Sequence, residues 1–554
     1  MVRRTSALIL SVAASLLLLF GAAPSRAQSL QTPGEQSGYK KYSQFEDVTR
    51  FLDEVVKQSK QVQVQTIGQT GPAKDFPGAR LFLVAITDEG AATPQALNRA
   101  KPTFMLIASQ HGNEQSGKEA SLALVRDIAL GEMKPLLKQV NFLIVPQANP
   151  YGNFINRRTN EQGLDLNRDH VKLEAPETRI IHAAFRAWMP EVTLDVHEKG
   201  DDYYRVSTGC VSNANIHPTL ERFSRDILFK QVEQAVTAAG YTWFEYLVTE
   251  RVGSAGAAGA PEPRGNPSAP RETLTRPSTT DLNDGRNSLG IYETLSFIQE
   301  GSSRHDLDTL KDRTGWQYRG IRALMEATAR NGQEVVRLVR GRREALARDA
   351  KTYAADKVVY LRMEYVKDPK QPELTIKRFD RSLDQRGATE RAATEPAPAP
   401  VEQKVLTQVV KNWLPKVEPS VSVPRPLGYI IPAANRDVVD TLIAHGIEVA
   451  CLTKSAQADV ETYEIGDVVP ASDDYVAPDA IAVTKKALRT TVAAGAFYVT
   501  TDQPAANLIP SLLEPQAGYG LIRYRSFKLP QQKGGVWPFT RVITAAALPL
   551  VPVR

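Results

Sequence analysis

Residues 103–114 read TFMLIASQHGNE. An unbroken apolar run closed by a polar cluster is the signature of a strand buried on both faces. Working outward, the same kind of run recurs at 79–87 (ARLFLVAIT), 140–146 (VNFLIVP) and 191–196 (EVTLDV). Between 109 and 140 lies GKEASLALVRDIALGEM (117–133), a helix candidate. Upstream, residues 28–75 read as a helical start, with amphipathic spacing in YSQFEDVTRFLDEVVKQ (42–58). Strands alternating with helices predict an α/β sheet covered on both faces.

The pattern lapses at 252–280, a Gly-, Pro-, Ala- and Ser-rich stretch that reads as a flexible surface excursion. It resumes with GIYETLSFIQEG (290–301). Helical runs fill much of 307–358, and RGATERAATEPAPAPVEQ (386–403) has linker composition. A strand, a helix with a Gly stop and a second strand follow in PLGYIIPA, NRDVVDTLIAHG and IEVACLT. The expected division is a leader at 1–27, a catalytic domain at 28–345, helix and linker at 346–403, and an accessory domain at 404–554.

The 554 residues are 42% hydrophobic and 23% charged, which excludes wholesale disorder. Residues 1–27 carry Arg3 and Arg4, an apolar run from Ala7 to Ala23, and Ser25-Arg26-Ala27 before Gln28. That is the layout of a cleavable signal peptide, so the chain is expected to be exported, periplasmic or extracellular. Losing the arginines of this leader lowers the net charge from +6 to +3, which makes no case for nucleic acid or anionic membrane. Two cysteines, Cys210 and Cys451, exclude a disulfide scaffold and a cysteine-built zinc ribbon. They are expected to be free, buried thiols.

The residues with chemistry fall where strands are expected to end. His111 and Glu114 follow the 103–109 run, His197 follows VTLDV, and Glu300 follows LSFIQ. Ligands of open α/β sheets bind beyond the carboxyl ends of the strands. Two imidazoles and a carboxylate form a catalytic zinc set with one position open. Gly112 is expected to give the sharp turn that brings His111 and Glu114 to one ion.

In order, the chain reads HGNE (111–114), NPYG (149–152), Arg158, GLDLNR (163–168), LDVHE (194–198) and SFIQEG (296–301). This succession resembles the zinc metallocarboxypeptidase family typified by carboxypeptidase A, in its bacterial branch, over roughly residues 40–345. The resemblance implies one Zn2+ held by His111, Glu114 and His197. It implies that Asp165 orients a ligand histidine and that Arg158 stabilises the oxyanion. Asn167 and Arg168 would bind the terminal carboxylate of the substrate, and Glu300 would be the general base on zinc-bound water. Two departures stand out: Tyr151 within NPYG, and Gly301-Ser302-Ser303 after Glu300. Glu293, in IYETL, is the rival base. Arg157 is the alternative to Arg158, and Arg286 the alternative contact for an acidic substrate end. His170, His182 and Glu198 read as structural neighbours, and Tyr203 and Tyr204 as core or cleft residues.

The fold class expected is α/β: a mixed central sheet flanked by helices, plus a smaller C-terminal α/β domain. The expected activity is that of an exported zinc metallocarboxypeptidase acting on the C-terminal amide bond of peptides or peptidoglycan-derived peptides. The alternatives are a zinc amidohydrolase of N-acyl amino acids and a non-catalytic zinc-cleft binding protein.

Overall fold

Apolar runs and amphipathic helices alternate through the first 330 residues and build one twisted sheet. The computed structural model describes residues 30–200, 204–251, 273–303, 306–379, 405–469 and 481–553. The leader, residues 252–272 of the excursion, the 386–403 linker and Tyr203 lie outside the described residues.

The central sheet has eight strands: β1 (Val62–Gln69), β2 (Arg80–Ile86), β3 (Thr103–Ala108), β4 (Asn141–Val145), β5 (Val192–Gly200), β6 (Val206–Cys210), β7 (Trp243–Glu245) and β8 (Leu295–Ser303). Their order is β1-β2-β4-β3-β5-β8-β6-β7. The core β4-β3-β5-β8 is parallel, while β1, β2 and the β8–β6 pair are antiparallel. The sheet is therefore mixed, and every residue of β3 and β4 is buried, as unbroken apolar runs require.

Helices Ser116–Ala129 and Leu310–Arg330 cover one face, packed against each other. Helices Pro176–Trp188 and Gly285–Gly290 lie on the other. Helix Phe45–Gln58 buries Val48, Phe51, Leu52 and Val55, the three- and four-residue spacing of a core-facing stripe.

Two sequence expectations change. Val62–Gln69, inside the expected helical start, is edge strand β1. Its sequence VQVQTIGQ alternates polar and apolar residues, the period of a half-exposed strand rather than of a helix. Beyond the long helices, Val358–Val366 pairs with Lys416–Pro424, and Leu374–Phe379 with Val405–Val410. Buried and half-exposed positions alternate along VVYLRMEYV, again a strand period.

A seven-stranded sheet occupies the C-terminal part, with Thr540–Val542, Gly428–Ile431 and Phe497–Thr500 at its middle. Its helix Arg436–Ala444 lies on helix Pro176–Trp188. One contiguous apolar core runs from Phe104 and Leu194 to Val438, Leu442 and Leu512. Polar ties reinforce the contact: Tyr292 Oη donates to the His445 carbonyl at 3.1 Å, and His445 Nε2 donates to the Val171 carbonyl at 2.8 Å. Cys210 is buried and Cys451 half-buried, both free. Among the described residues no helix is long and apolar enough to cross a membrane.

Candidate metal centre

At the end of β3, Ser109 takes a left-handed backbone (φ 62°), a conformation that costs free energy for a non-glycine residue. The kink follows the last paired residue, Ala108, and starts the loop that carries Gln110, His111 and Glu114. Gly112 stands in the turn that Glu114 N–H closes on the His111 carbonyl at 3.1 Å, as expected, and it also admits a neighbouring loop. A Cβ there would lie 2.0 Å from the Gly152 carbonyl carbon and 2.4 Å from the Arg157 oxygen. The NPYG segment is thus a brace. Asn149 caps helix Pro150–Phe154 by accepting from Gly152 N–H at 2.8 Å. Its amide donates to the Gln110 carbonyl at 3.1 Å, and Asn153 donates to the Gly112 carbonyl at 2.7 Å. Gly112→Ala is expected to destabilise the fold by about 3 kcal/mol or more, because backbone rather than a flexible side chain must yield. Urea denaturation of the purified variant measures it.

On β5, Asp195 and His197 share one face, and Val196 and Glu198 the other. Parallel register sets Glu300 of β8 directly beside His197 of β5. Both strands continue paired beyond these residues, to Gly200 and Ser303, so His197 and Glu300 sit within strands rather than after them.

The three expected ligands meet. His111, Glu114 and His197 each offer an atom within 4.8 Å of the others, and all three are buried. His111 Nδ1 lies 2.8 Å from Glu114 Oε1, and His197 Nδ1 lies 2.9 Å from Glu114 Oε2. The two Nδ1 atoms are 3.0 Å apart. The opposite ring nitrogens also face carboxylates. His111 Nε2 donates to Asp165 Oδ1 at 3.0 Å, and His197 Nε2 to Asp195 Oδ2 at 2.7 Å. With those N–H groups engaged, the two Nδ1 atoms are the positions that would give lone pairs to a bound cation. Two Nδ1 atoms and a carboxylate then face one another in a buried space, an arrangement that a shared cation resolves. The donor set fits zinc.

The electrostatics agree. Burial alone would raise the Glu114 carboxyl, but His111 and His197 hold it well below the usual range. Burial would lower His197; Asp195 and Glu114 overcome it and raise the imidazole well above its ordinary value. Asp165, despite burial, is held far down by His111 and Arg158. Arg158 donates through Nε to Asp165 at 2.8 Å, and its Nη1 lies 3.1 Å from His111 Nδ1 and 3.6 Å from Glu114. It is the guanidinium beside the ligand atoms.

Glu300 is buried, and burial pushes its carboxyl up to about 7. Its Oε2 is a buried acceptor without a hydrogen-bond partner among the described residues. Glu293, the rival, sits before β8 in a left-handed conformation, with Arg342 at 3.8 Å. Glu300 is the sixth residue of β8, so strand rise alone carries it roughly 16 Å beyond the start of the strand that Glu293 precedes. Asn167 accepts from Gly285 N–H at 2.8 Å and sets its amide 3.2 Å from His197 Nε2. Arg168 is half-buried, and the hydrogen bond it makes goes to the Asn167 carbonyl at 2.6 Å. Among the described residues it pairs with no carboxylate.

Other candidates take structural places. Arg286 is buried and donates to Asp284 at 2.8 Å and to the Thr279 carbonyl at 3.0 Å, bracing a turn. Glu198 accepts from Ser116 and Arg313 on the opposite face of the sheet. Tyr204 stacks on Phe244 at 5.0 Å.

Sequence reasoning missed Asp195 and what stands behind it. Gln110 Nε2 donates to Asp195 Oδ2 at 2.7 Å, His170 Nε2 to Gln110 Oε1 at 2.9 Å, and His182 Nε2 to His170 Nδ1 at 3.0 Å. Burial pushes His170 down to about 4, so it stands neutral in this chain. The only signal in the sequence was Asp195 two residues before His197, on the same strand face.

The loop carrying Arg158 and Asp165 rests on Glu177, which accepts from Asn160 at 3.0 Å. Burial raises the Glu177 carboxyl to about 8. A carboxyl raised by folding favours the folded state when protonated. Its contribution is complete below the unfolded value near 4.5 and is lost as pH climbs through about 8. Glu177→Gln is expected to flatten stability over that window by about 1 kcal/mol or more, read from urea midpoints at pH 5 and 8.5.

Residues 48–189 match the zinc carboxypeptidase family. The chain is 26% identical to Carboxypeptidase 2 of Trichophyton tonsurans over 454 residues, covering 78% of this chain and 75% of that one. For Carboxypeptidase 2 of Trichophyton rubrum the identity is 24% with the same coverage. These relatives are fungal and do not place the chain in a bacterial branch. Among solved structures, a putative carboxypeptidase A of Shewanella denitrificans aligns with TM-score 0.37 and 20% identity, covering 53% of this chain and 70% of that one. Over residues 48–189 the chain thus carries a zinc carboxypeptidase domain, the domain of zinc metallocarboxypeptidase hydrolases.

Proposed function

We propose that this protein removes single residues from the carboxyl end of peptides, with Glu300 as the base. The observation that carries this reading is the place of Glu300, its Oε2 without a hydrogen-bond partner among the described residues, on the strand directly beside His197 and the converging set. His111, Glu114 and His197 would hold a zinc ion, which when bound would lower the pKa of water to about 7 and polarise the bond to be cut. Glu300, lifted to about 7 by burial, is matched to take a proton at Oε2 and return it to the leaving amine. Arg158, positioned by Asp165, faces the negative charge that develops on the substrate oxygen. Arg168, paired with no carboxylate among the described residues, suits the free terminal carboxylate, and Asn167 aligns the same loop. Asp165 and Asp195 orient the ligand imidazoles.

We further propose export to the periplasm or the medium, on the strength of residues 1–27 alone, and peptides, cell-wall peptides among them, as substrates. Zinc quantitation with digestion of a peptide library read by mass spectrometry tests the reading. Ladders of single losses from the carboxyl end are expected, with about one zinc per chain. Internal cuts would overturn exopeptidase action, and cleavage of N-acyl amino acids alone would turn the reading to an amidohydrolase.

A further inference from the structure

Asp195 meets His197 and the side chain of Gln110 with one and the same oxygen. His197 Nε2 and Gln110 Nε2 both lie 2.7 Å from Asp195 Oδ2, while Oδ1 is buried without a hydrogen-bond partner among the described residues. A carboxylate held through one oxygen turns easily about its last carbon–carbon bond unless a second contact stops it. Gln110 is that contact. The space around the link is full: a Cβ on Gly285 would lie 2.7 Å from Asp195 Oδ2 and 2.9 Å from Gln110 Nε2.

The donors behind Asp195 all point one way. A carboxylate only accepts, so the Gln110 amide turns its nitrogen to Asp195 and its oxygen to His170. That oxygen accepts from His170 Nε2 at 2.9 Å. In a neutral ring this leaves His170 Nδ1 as an acceptor, and His182 Nε2 donates to it at 3.0 Å. Burial keeps both rings neutral: it pushes His170 down to about 4 and holds His182 well below its ordinary value. Reversing any link would set two acceptors face to face.

The line is backed from the C-terminal part of the chain. His445 stands edge-on to His182, with ring centroids 5.4 Å apart at 89°. Its Nε2 donates at 2.8 Å to the carbonyl of Val171, the residue after His170. Arg186, on the helix that carries His182, donates to the Ala444 carbonyl. Gln110, His170, His182 and His445 are all buried. The family match covers residues 48–189, so His445 lies beyond it.

We propose that His170 is a positioning residue for His197, acting through Gln110 and Asp195, and that His182 and His445 hold it in that role. The inference rests on the reading of His111, Glu114 and His197 as a zinc site, and it gives the C-terminal part of the chain a share in shaping that site. Fixing Asp195 Oδ2 fixes the His197 ring and the direction in which its Nδ1 faces Glu114.

The test uses the full-length protein and zinc alone, with affinity read by competition with a chelator under conditions where each variant is folded. His170→Leu, which fills much of the space but cannot donate to Gln110, is expected to weaken zinc binding about tenfold, the lower end of what partners behind a metal ligand contribute. His170→Gln, which restores an N–H donor, should return the affinity to within about threefold of the wild type. A residue that only fills space would show no such rescue. With Asp195 already replaced by Ala, His170→Leu should cost about twofold or less, because the group it acts through is gone. Imidazole 15N shifts of the wild type need no variant and serve if His170→Leu does not fold. They should show His170 and His182 neutral, with the proton on Nε2. Unchanged zinc affinity in His170→Leu, an equal loss in His170→Gln, a full loss in the Asp195→Ala background, or a proton on His170 Nδ1 would each overturn the proposal alone. A wild type that binds no zinc would sink the metal centre, and this proposal with it.

Discussion

Replacing Glu300 by glutamine is expected to lower kcat about 10²- to 10⁴-fold and to leave zinc content unchanged. Glutamine keeps the shape and the buried position but cannot accept a proton at Oε2, the atom left without a partner. Glu300 is not among the three converging ligand residues, so metal retention should be near that of the wild type. The control is Glu293→Gln. That carboxylate, 3.8 Å from Arg342 at the other end of the strand, should be dispensable for turnover. Single-turnover kinetics with zinc quantitation reads both. Loss of activity in Glu293→Gln, with survival in Glu300→Gln, would exchange their roles.

Zinc is expected to stabilise the folded chain, and His197→Ala to remove that effect. Glu114, Asp165 and Asp195 bring three carboxylates to two imidazoles around buried space. A cation bound only by the folded state adds about 2.7 kcal/mol at a hundred times its Kd. The wild type should therefore melt several degrees higher with zinc than after chelation. Removing His197 deletes a ligand and leaves Asp195 without its imidazole partner. Loss of an outer partner alone costs about 10- to 100-fold in affinity, so loss of this ligand should cost at least about 100-fold. Competition with a chelator measures the affinity, and scanning calorimetry the shift. A full zinc-induced shift in His197→Ala would exclude this residue from the ion's coordination.

Much of the centre was legible because its information is local. HGNE, LDVHE and SFIQEG each attach a chemical group to an apolar run, and a run buried on both faces can only be an inner strand of a covered sheet. Side chains near the ends of neighbouring inner strands then have one rim to share. What was not legible depends on approach between segments. Gly112 lies in its turn as the sequence suggests, but that the left-handed residue is Ser109 and that Gly112 also admits the loop at Gly152 were not readable. Edge strand β1 escaped notice because it is half exposed and short of apolar residues. The line from Asp195 through Gln110 and His170 to His182 joins residues 12 to 85 positions apart, and no local pattern announces such pairings.

By itself, the sequence determined the class of fold, the side chains that converge at the candidate metal centre and the order in which the chain presents them, because hydrophobic period and strand-end chemistry are written residue by residue. Only the tertiary structure decided which ring nitrogen of each histidine faces Glu114, which carboxylate stands beside His197, and which remote residues line up behind Asp195. Those are properties of distance between parts of the chain, and they arise when burial forces each polar group to find its partner or go without.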